Sequence, residues 1–453
     1  MGALLDSLER PGENRESGWV NRLFTKEGST PEYQELKFTL HRKLLDRINL
    51  DVLSSMAGER VRAEIRTAVA KLVDEEKTPL SLVEKDRVIE EILDEVFGLG
   101  PLEPLLQDPT ISDILVTTPH LVYVERAGKL YRTPVEFKDD SHLMRIIEKI
   151  VSRVGRRVDE SSPMVDARLP DGSRVNAVIT PVAVDGPLLS IRRFGRYAMK
   201  GEDLVAKLAL TEGMLELLKG CVKARLNILI CGGTGSGKTT LLNALSSYIP
   251  EDERIVTIED AAELRLQQTH VARLETRPAN VEGTGAIHIR QLVINALRMR
   301  PDRIIVGEVR SEEALDMLQA MNTGHDGSLT TIHANTPRDG LGRLEVMVGM
   351  ANANMGIRSI RQQIASAVDL FIQTSRFSDG TRRITHITEV IGMEQDIITL
   401  QDVFLFEKTG ITEKGRVMGR FRATGIRPKF YDRLKQSGIT LPAQMFQTVV
   451  EIT

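Results

Sequence analysis

The chain has 453 residues, too many for one ordinary hydrophobic core and enough for two or three domains. Its net charge of -3 and low aromatic content exclude the basic surface and stacking platforms that nucleic-acid motors use. Cys221 and Cys231 form no C-x-x-C pair, which argues against a zinc site and against a disulfide. No apolar run reaches the roughly 18 residues of a membrane span, and no signal peptide precedes the chain, so we expect a cytoplasmic protein.

The first part of the chain is expected to be a disordered tail followed by helices. Residues 1–32 combine glycine, proline and charge without periodicity, which is typical of disorder. Apolar residues then recur at helical spacing, as at Val61, Ile65, Val69 and Leu72. Ser81 and Glu84 form a capping box for a further helix, which Gly98 ends. We therefore predict a helical bundle over residues 33–98.

Residues 99–200 are predicted to form a small α/β domain with an antiparallel sheet. Short runs that alternate in polarity predict strands at Asp113–Thr117, Val122–Glu125 and Lys129–Thr133. The runs Val165–Leu169 and Arg174–Ile179 flank Pro170-Asp171-Gly172, which is turn chemistry and predicts a hairpin.

Strands and helices alternate from residue 201 to the end of the predicted core, within a domain over 201–453. The predicted strands are Asn227–Cys231, Ile255–Ile258 and Ile304–Val306. The predicted helices include Lys238–Leu245, Val293–Leu297 and Glu312–Met321. Alternation of this kind indicates a parallel sheet covered by helices.

A phosphate-binding loop lies between the first of these strands and the first helix. The segment GGTGSGKT fits the G-x-x-x-x-G-K-[ST] pattern in the strand–loop–helix context that the motif requires. Backbone N–H groups and the helix N-terminus would hold phosphate oxygens, Lys238 would reach the β and γ phosphates, and the Thr239 hydroxyl would ligate Mg²⁺. The predicted ATP-binding residues are Gly232, Gly233, Thr234, Gly235, Ser236, Gly237, Lys238, Thr239 and Thr240.

Two acidic residues are candidates for the hydrolytic chemistry, because a carboxylate must orient water and another must hold the metal. Glu308 ends an apolar strand in the Walker B form, and we predict that it binds Mg²⁺. Glu259 ends an earlier strand and is the candidate general base, with Glu263 as the next candidate. Both strand ends would lie at the carboxyl edge of the sheet, beside the phosphates. A capping or surface role is the alternative for each acid.

Two of the eight histidines, His325 and His333, lie in one segment, TGHDGSLTTIHANT. A neutral imidazole can contact a phosphate or a carboxylate and so respond to the γ-phosphate. A lone histidine is more often structural, so the residues alone favour that role for each histidine.

These segments resemble the motifs of one family. GGTGSGKTT, TIEDAAEL, RMRPDRIIVGEVR and TGHDGSLTTIHANT are similar to the Walker A, Asp box, Walker B and His box of the secretion and pilus-motor traffic ATPases. FGLGPLEPLLQDPTISDILV and VDARLPDGSRVNAVITP resemble the N-terminal domain of that family. With the helical segment FTLHRKLLDRINL, the likeness is closest to the CpaF group, which drives tight-adherence (Flp) pili.

The resemblance implies a RecA-like ATPase core, a PAS-like N-terminal domain and a hexameric ring. It implies docking to inner-membrane platform proteins, whereas the net charge and the low aromatic content lead us to expect no nucleic acid as partner. It assigns catalytic roles to Glu259, Glu308, His325 and His333. Arginines of the N-terminal domain would contact the γ-phosphate, and Arg174 and Arg192 match best, with Arg168 and Arg193 as competitors.

Several alternatives are weighed against the Flp pilus motor. Two cysteines cannot build the four-cysteine zinc module of many type II secretion and pilus relatives, which leaves the CpaF branch and the type IV secretion branch. A type IV secretion ATPase for DNA or protein transfer is the leading alternative. A helicase is disfavoured by composition, and a binding protein without catalysis is disfavoured because both acids are present.

Overall fold

The computed structural model describes residues 31–47, 58–76, 78, 80–126, 128–193, 199–279 and 284–452. Residues 1–30 of the predicted tail therefore lie outside the described residues. The chain consists of two compact units, Met1–Arg196 and Tyr197–Thr453. No helix among the described residues is long and apolar enough to cross a bilayer.

Three helices open the described part of the first unit: α1 (Pro31–Arg47), α2 (Gly58–Glu75) and α3 (Leu82–Phe97). They pack around apolar residues spaced three or four apart, which include Leu40, Leu44, Ile65, Val69, Leu72, Val88, Ile92 and Leu93. The predicted capping box is confirmed, since Ser81 accepts from the Glu84 N–H and the Glu84 carboxylate accepts from the Ser81 N–H.

An antiparallel sheet forms the rest of this unit, after the 3-10 turn Gly100–Leu102 and the short helix α4 (Glu103–Gln107). Its strands are β1 (Ile111–Thr118), β2 (Leu121–Arg126), β3 (Lys129–Arg132), β4 (Met164–Arg168), β5 (Arg174–Val178) and β6 (Leu188–Arg192). Their order is β3-β2-β1-β6-β5-β4. Helix α5 (Asp140–Arg153) contributes Leu143, Ile147 and Ile150 to the core of this unit. The predicted hairpin of β4 and β5 is present.

A buried polar contact joins the helices to this sheet domain. His142 on α5 accepts from the Lys138 N–H through Nδ1 and lies 2.9 Å from Glu95 Oε2 through Nε2. Lys149 donates to the Val96 carbonyl at 2.9 Å. Because both side chains of the His142–Glu95 pair are 4% exposed, separating α3 from α5 would leave buried polar groups without partners.

The second unit contains a parallel sheet between two layers of helices. Its parallel strands are β7 (Ile228–Gly232), β8 (Ile255–Glu259), β9 (Val271–Glu275), β10 (Arg303–Val309), β11 (Leu329–Ile332) and β12 (Leu370–Arg376). Its helices are α6 (Gly201–Ala206), α7 (Glu212–Lys223), α8 (Lys238–Ser246), α9 (Ile289–Ala296), α10 (Glu313–Asn322), α11 (Pro337–Ala351) and α12 (Ile357–Ala367). Strands β7 and β8 are buried at every residue, as expected for parallel strands covered on both faces.

An antiparallel extension continues this sheet beyond β12. Its members are β13 (Arg382–Glu394), β14 (Ile397–Ile411), β15 (Val417–Ala423) and β16 (Val449–Ile452). Helix α13 (Tyr431–Gln436) and the 3-10 helix Ala443–Gln447 precede the last strand. The complete order is β16-β15-β14-β13-β12-β7-β11-β10-β8-β9. The predicted parallel core is confirmed, whereas the extension was not predicted from the sequence.

Candidate ATP-binding and hydrolysis site

The phosphate-binding loop connects the end of β7 to the start of α8. Gly235 and Gly237 have φ values of 69° and 99°, which side chains other than glycine rarely tolerate. A Cβ on Gly232 would lie 2.3 Å from Ser236 Oγ and 2.5 Å from Thr374 Oγ1. The glycines are therefore required for the shape of the loop, which presents the N-terminus of α8 to an anion.

Lys238, the first residue of α8, turns its side chain into this loop. Its Nζ donates to the carbonyls of Gly232 at 3.0 Å and Gly233 at 3.1 Å, and it lies 3.4 Å from His333 Nε2. Burial lowers the pKa of Lys238. Thr239 and Thr240 follow it in the first turn of α8. The predicted lysine and threonine positions are thus brought together at the carboxyl end of β7.

Glu259 ends β8 as a buried carboxylate, 3% exposed. Its Oε2 accepts from the N–H groups of Glu263 at 2.7 Å and Leu264 at 2.9 Å. Its Oε1 is buried and has no hydrogen-bond partner among the described residues. Burial raises the pKa of Glu259 to about 7. One oxygen is thus fixed by the backbone, and the other is left to act on a proton near neutral pH.

The absence of a side chain at Gly307 lets β10 accommodate Glu259. A Cβ there would lie 2.8 Å from Glu259 Cγ. The parallel register pairs Val306 with Ile258, so Glu259 and Glu308 extend from neighbouring strands at the same edge. This confirms the predicted convergence of the two strand ends.

Glu308 lies beside two basic side chains. Its Oε1 is 2.9 Å from His333 Nε2, while its Oε2 accepts from Arg310 Nε at 3.0 Å and Nη2 at 2.6 Å. His333 follows β11, whose register with β7 pairs Ile332 with Cys231. Burial lowers the pKa of His333, which favours the neutral imidazole. His333 therefore connects the Walker B carboxylate with Lys238.

The structure does not bring His325 to this cluster. His325 precedes β11, at the end where Gly327 and Ser328 donate their N–H groups to Asn227 Oδ1, just before β7. The length of β11, about 13 Å for four residues, therefore separates the two histidines. The backbone carbonyl of His325 accepts from Ser328 Oγ at 2.9 Å, which is a local turn contact. Within one chain, the geometry therefore places His325 away from the cluster of Lys238, Glu308 and His333.

We expect the two histidines to differ in their effect on hydrolysis. His333→Ala should lower kcat by about 10²-fold, because it removes a polar group beside Lys238 and Glu308. His325→Ala should change kcat by less than about twofold, as at a position away from the chemistry. Steady-state phosphate release from both purified variants measures this, and equal losses would contradict the separation.

The predicted arginines lie in the first unit, on neighbouring strands of the antiparallel sheet. Arg168 pairs with Arg174, and Arg174 pairs with Arg192, so these three form a lateral arginine row. Arg192 donates to Asp113 Oδ1 at 3.1 Å and its side chain is 62% exposed. Arg193 instead donates to backbone carbonyls, among them Leu106 at 2.7 Å. The geometry therefore supports a structural role for Arg193.

Three further residues contact the site and were not singled out from the sequence. Arg310 binds Glu308, Arg382 Nε donates to the Gly235 carbonyl at 2.8 Å, and Thr374 Oγ1 lies 3.0 Å from Ser236 Oγ. Arg310 belongs to the Walker B segment, so a motif signal was available for it. Thr374 and Arg382 belong to β12 and β13, where no motif indicated a role.

A comparison of the sequence with known protein families agrees with the geometry of this site. Residues 95–409, more than half of the chain, match the family described as Type II/IV secretion system protein. The chain belongs to this family. Its members hydrolyse nucleotide, so this Type II/IV secretion system protein is an ATPase.

Several relatives are similar over most of their own length. A putative conjugal transfer protein of Mycobacterium tuberculosis (strain ATCC 25618 / H37Rv) is 41% identical over 299 residues, which covers 65% of this chain and 84% of that protein. The type IV secretion system protein VirB11 of Brucella suis biovar 1 is 31% identical over 322 residues, 65% of this chain and 89% of that protein. A solved relative is the VirB11 ATPase from the Brucella suis type IV secretion system, whose crystal structure was determined in complex with sulphate. Its sequence is 30% identical to this chain, and the match covers 65% of this chain and 97% of that one with a TM-score of 0.35.

Proposed function

We propose that this site hydrolyses ATP with Lys238 on the β and γ phosphates, Glu259 as the general base and Glu308 as the metal-binding acid. The observation that carries the proposal is the geometry of Glu259, buried at the edge of β8 with one oxygen held by two backbone N–H groups. A base with a pKa near the working pH is the most effective proton acceptor. His333 would respond to the γ-phosphate through its contacts with Lys238 and Glu308.

Mg²⁺ fits the donor set of this site. Among the described residues no cluster of three or more acidic, histidine or cysteine side chains could hold a metal alone. P-loop enzymes do not need one, because Mg²⁺ takes one or two protein oxygens and completes its coordination with water and nucleotide phosphates. Thr239 and Glu308 supply hydroxyl and carboxylate oxygens of the required kind. When bound, Mg²⁺ would neutralise charge that develops on the phosphates.

The arginine row is the proposed sensor of the γ-phosphate in the first unit. Arg174 and Arg192 are cross-strand neighbours, so their guanidinium groups start from Cβ atoms about 5 Å apart. Two adjacent guanidinium groups suit the spread-out negative charge of a transferring phosphoryl group. We propose that hydrolysis drives motion within a ring of six chains, as the family resemblance implies.

The relatives favour a type IV secretion role for this motor. Those described above are named for conjugal transfer and type IV secretion. We infer that the ring works at the cytoplasmic face of the inner membrane, bound to membrane proteins of a machine that exports DNA or protein. The tight-adherence (Flp) pilus motor is the second candidate, because the helical segment FTLHRKLLDRINL resembles the CpaF group.

Deletion of the gene in its source organism distinguishes the two machines. We expect conjugative transfer or effector export to be lost, while display of adhesive pili persists. Plasmid-borne wild type should restore transfer, whereas Lys238→Ala at equal protein level should not. Loss of pili with intact transfer would instead identify the Flp motor.

A further inference from the structure

Arg310 links the two acidic strand ends of the site. It follows β10 directly, and its guanidinium donates twice to Glu308 Oε2, at 3.0 Å through Nε and 2.6 Å through Nη2. Its Nη1 lies 3.4 Å from Asp260 Oδ2, at the residue that follows β8. One side chain therefore spans the ends of two neighbouring parallel strands.

The backbone beneath this side chain is held in place. The N–H of Arg310 donates to Glu313 Oε1 at 2.7 Å, and the N–H of Ser311 donates to the same oxygen at 3.0 Å. Glu313 is only 6% exposed, in the first turn of α10. Because the backbone at Arg310 is held in place, the fold determines the contact between the Arg310 side chain and Glu308.

The guanidinium itself is accessible, with 57% of the Arg310 side chain exposed, while the Glu308 side chain is 18% exposed. An exposed ion pair is weak and screened by salt, so it exchanges readily with another cation. A divalent ion at Glu308 would meet the positive charge of Arg310 on the same carboxylate. The two cations therefore oppose each other electrostatically, although Arg310 also keeps the carboxylate oriented.

We propose that Arg310 is a positioning residue that orients Glu308 and sets the Mg²⁺ concentration at which the site binds nucleotide. The proposal rests on the metal-binding role proposed above for Glu308. The positive charge of Arg310 weakens Mg²⁺ binding, which makes release of the metal and nucleotide easier. The two hydrogen bonds from Arg310 hold Oε2 of Glu308, so that Oε1 of Glu308 faces His333.

The test measures binding of a fluorescent ATP analogue to the full-length chain as Mg²⁺ is varied. Arg310→Gln should lower the half-saturating Mg²⁺ concentration by about two- to fivefold, the range for one exposed charge. Arg310→Lys keeps the charge and should stay at the wild-type value. Arg358→Gln is the matched control, because Arg358 is 77% exposed and lies 3.4 Å from Asp396. Raising the salt concentration should reduce the shift.

Each outcome has a distinct meaning. An unchanged or raised half-saturating concentration in Arg310→Gln overturns the proposal, as does an equal shift in Arg310→Lys. If Glu308→Gln leaves the Mg²⁺ dependence of binding unchanged, the metal-binding role of Glu308 fails instead. Thermal melting of each variant checks that the fold is retained.

Discussion

Replacement of Lys238 with alanine should abolish ATP hydrolysis and strongly weaken ATP binding. The ammonium group lies over the loop, 3.0 Å and 3.1 Å from the carbonyls of Gly232 and Gly233, and no other lysine of the loop can replace it. Without it, the negative charge of the β and γ phosphates would face those carbonyl oxygens without the positive charge of the ammonium group. Steady-state phosphate release and titration with a fluorescent ATP analogue measure both effects.

A matched control distinguishes the loss of a positive charge at the site from the loss of a positive charge elsewhere on the surface. Lys207, at the C-terminus of α6, is exposed, and Lys207→Ala should keep wild-type turnover. Lys238 also stabilises the loop through its contacts with two backbone carbonyls. Thermal melting must therefore show that the Lys238→Ala variant is folded. Phosphate release by folded Lys238→Ala above about a tenth of the wild-type rate would refute the assigned role, because loss of such a charge costs far more.

The parts of the site that were predictable from the sequence depend on local pattern and one topological rule. The phosphate-binding loop is contiguous, so GGTGSGKTT contains its glycines, lysine and threonines in one segment. Glu259 and Glu308 are far apart along the chain, but both end apolar strands. Parallel strands share a carboxyl edge, which is enough to predict that the two acids converge.

The parts that were not predicted depend on register. His325 and His333 share one motif, yet they lie at opposite ends of β11, because the strand runs between them. Arg192 ends β6 and Arg193 directly follows it, yet successive residues of an extended chain face opposite sides. Pairing with Arg174 therefore places Arg192 in the arginine row, whereas Arg193 binds backbone carbonyls. The extension β13–β16 lacks the strand–helix alternation that revealed the parallel core.

Replacement of Glu259 with glutamine should lower kcat by at least about 10²-fold while ATP binding is largely retained. The amide oxygen of glutamine can still accept from the Glu263 and Leu264 N–H groups, so the loop after β8 should keep its shape. The amide cannot take a proton from water, which isolates the chemical role from the structural one. Glu263→Gln is the matched control, because Glu263 contacts Glu259 through its backbone N–H, and it should turn over at close to the wild-type rate.

The pH dependence provides a second test of the same group. Burial raises the pKa of Glu259 to about 7, so the carboxyl is protonated and inactive as a base below that pH and ionised above it. Wild-type kcat should therefore rise as pH increases through about 7 and then level off, and the residual rate of Glu259→Gln should lack this rise. If Glu259→Gln hydrolyses ATP normally, or if its rate keeps the wild-type pH profile, the base lies elsewhere and Glu263 is the next candidate.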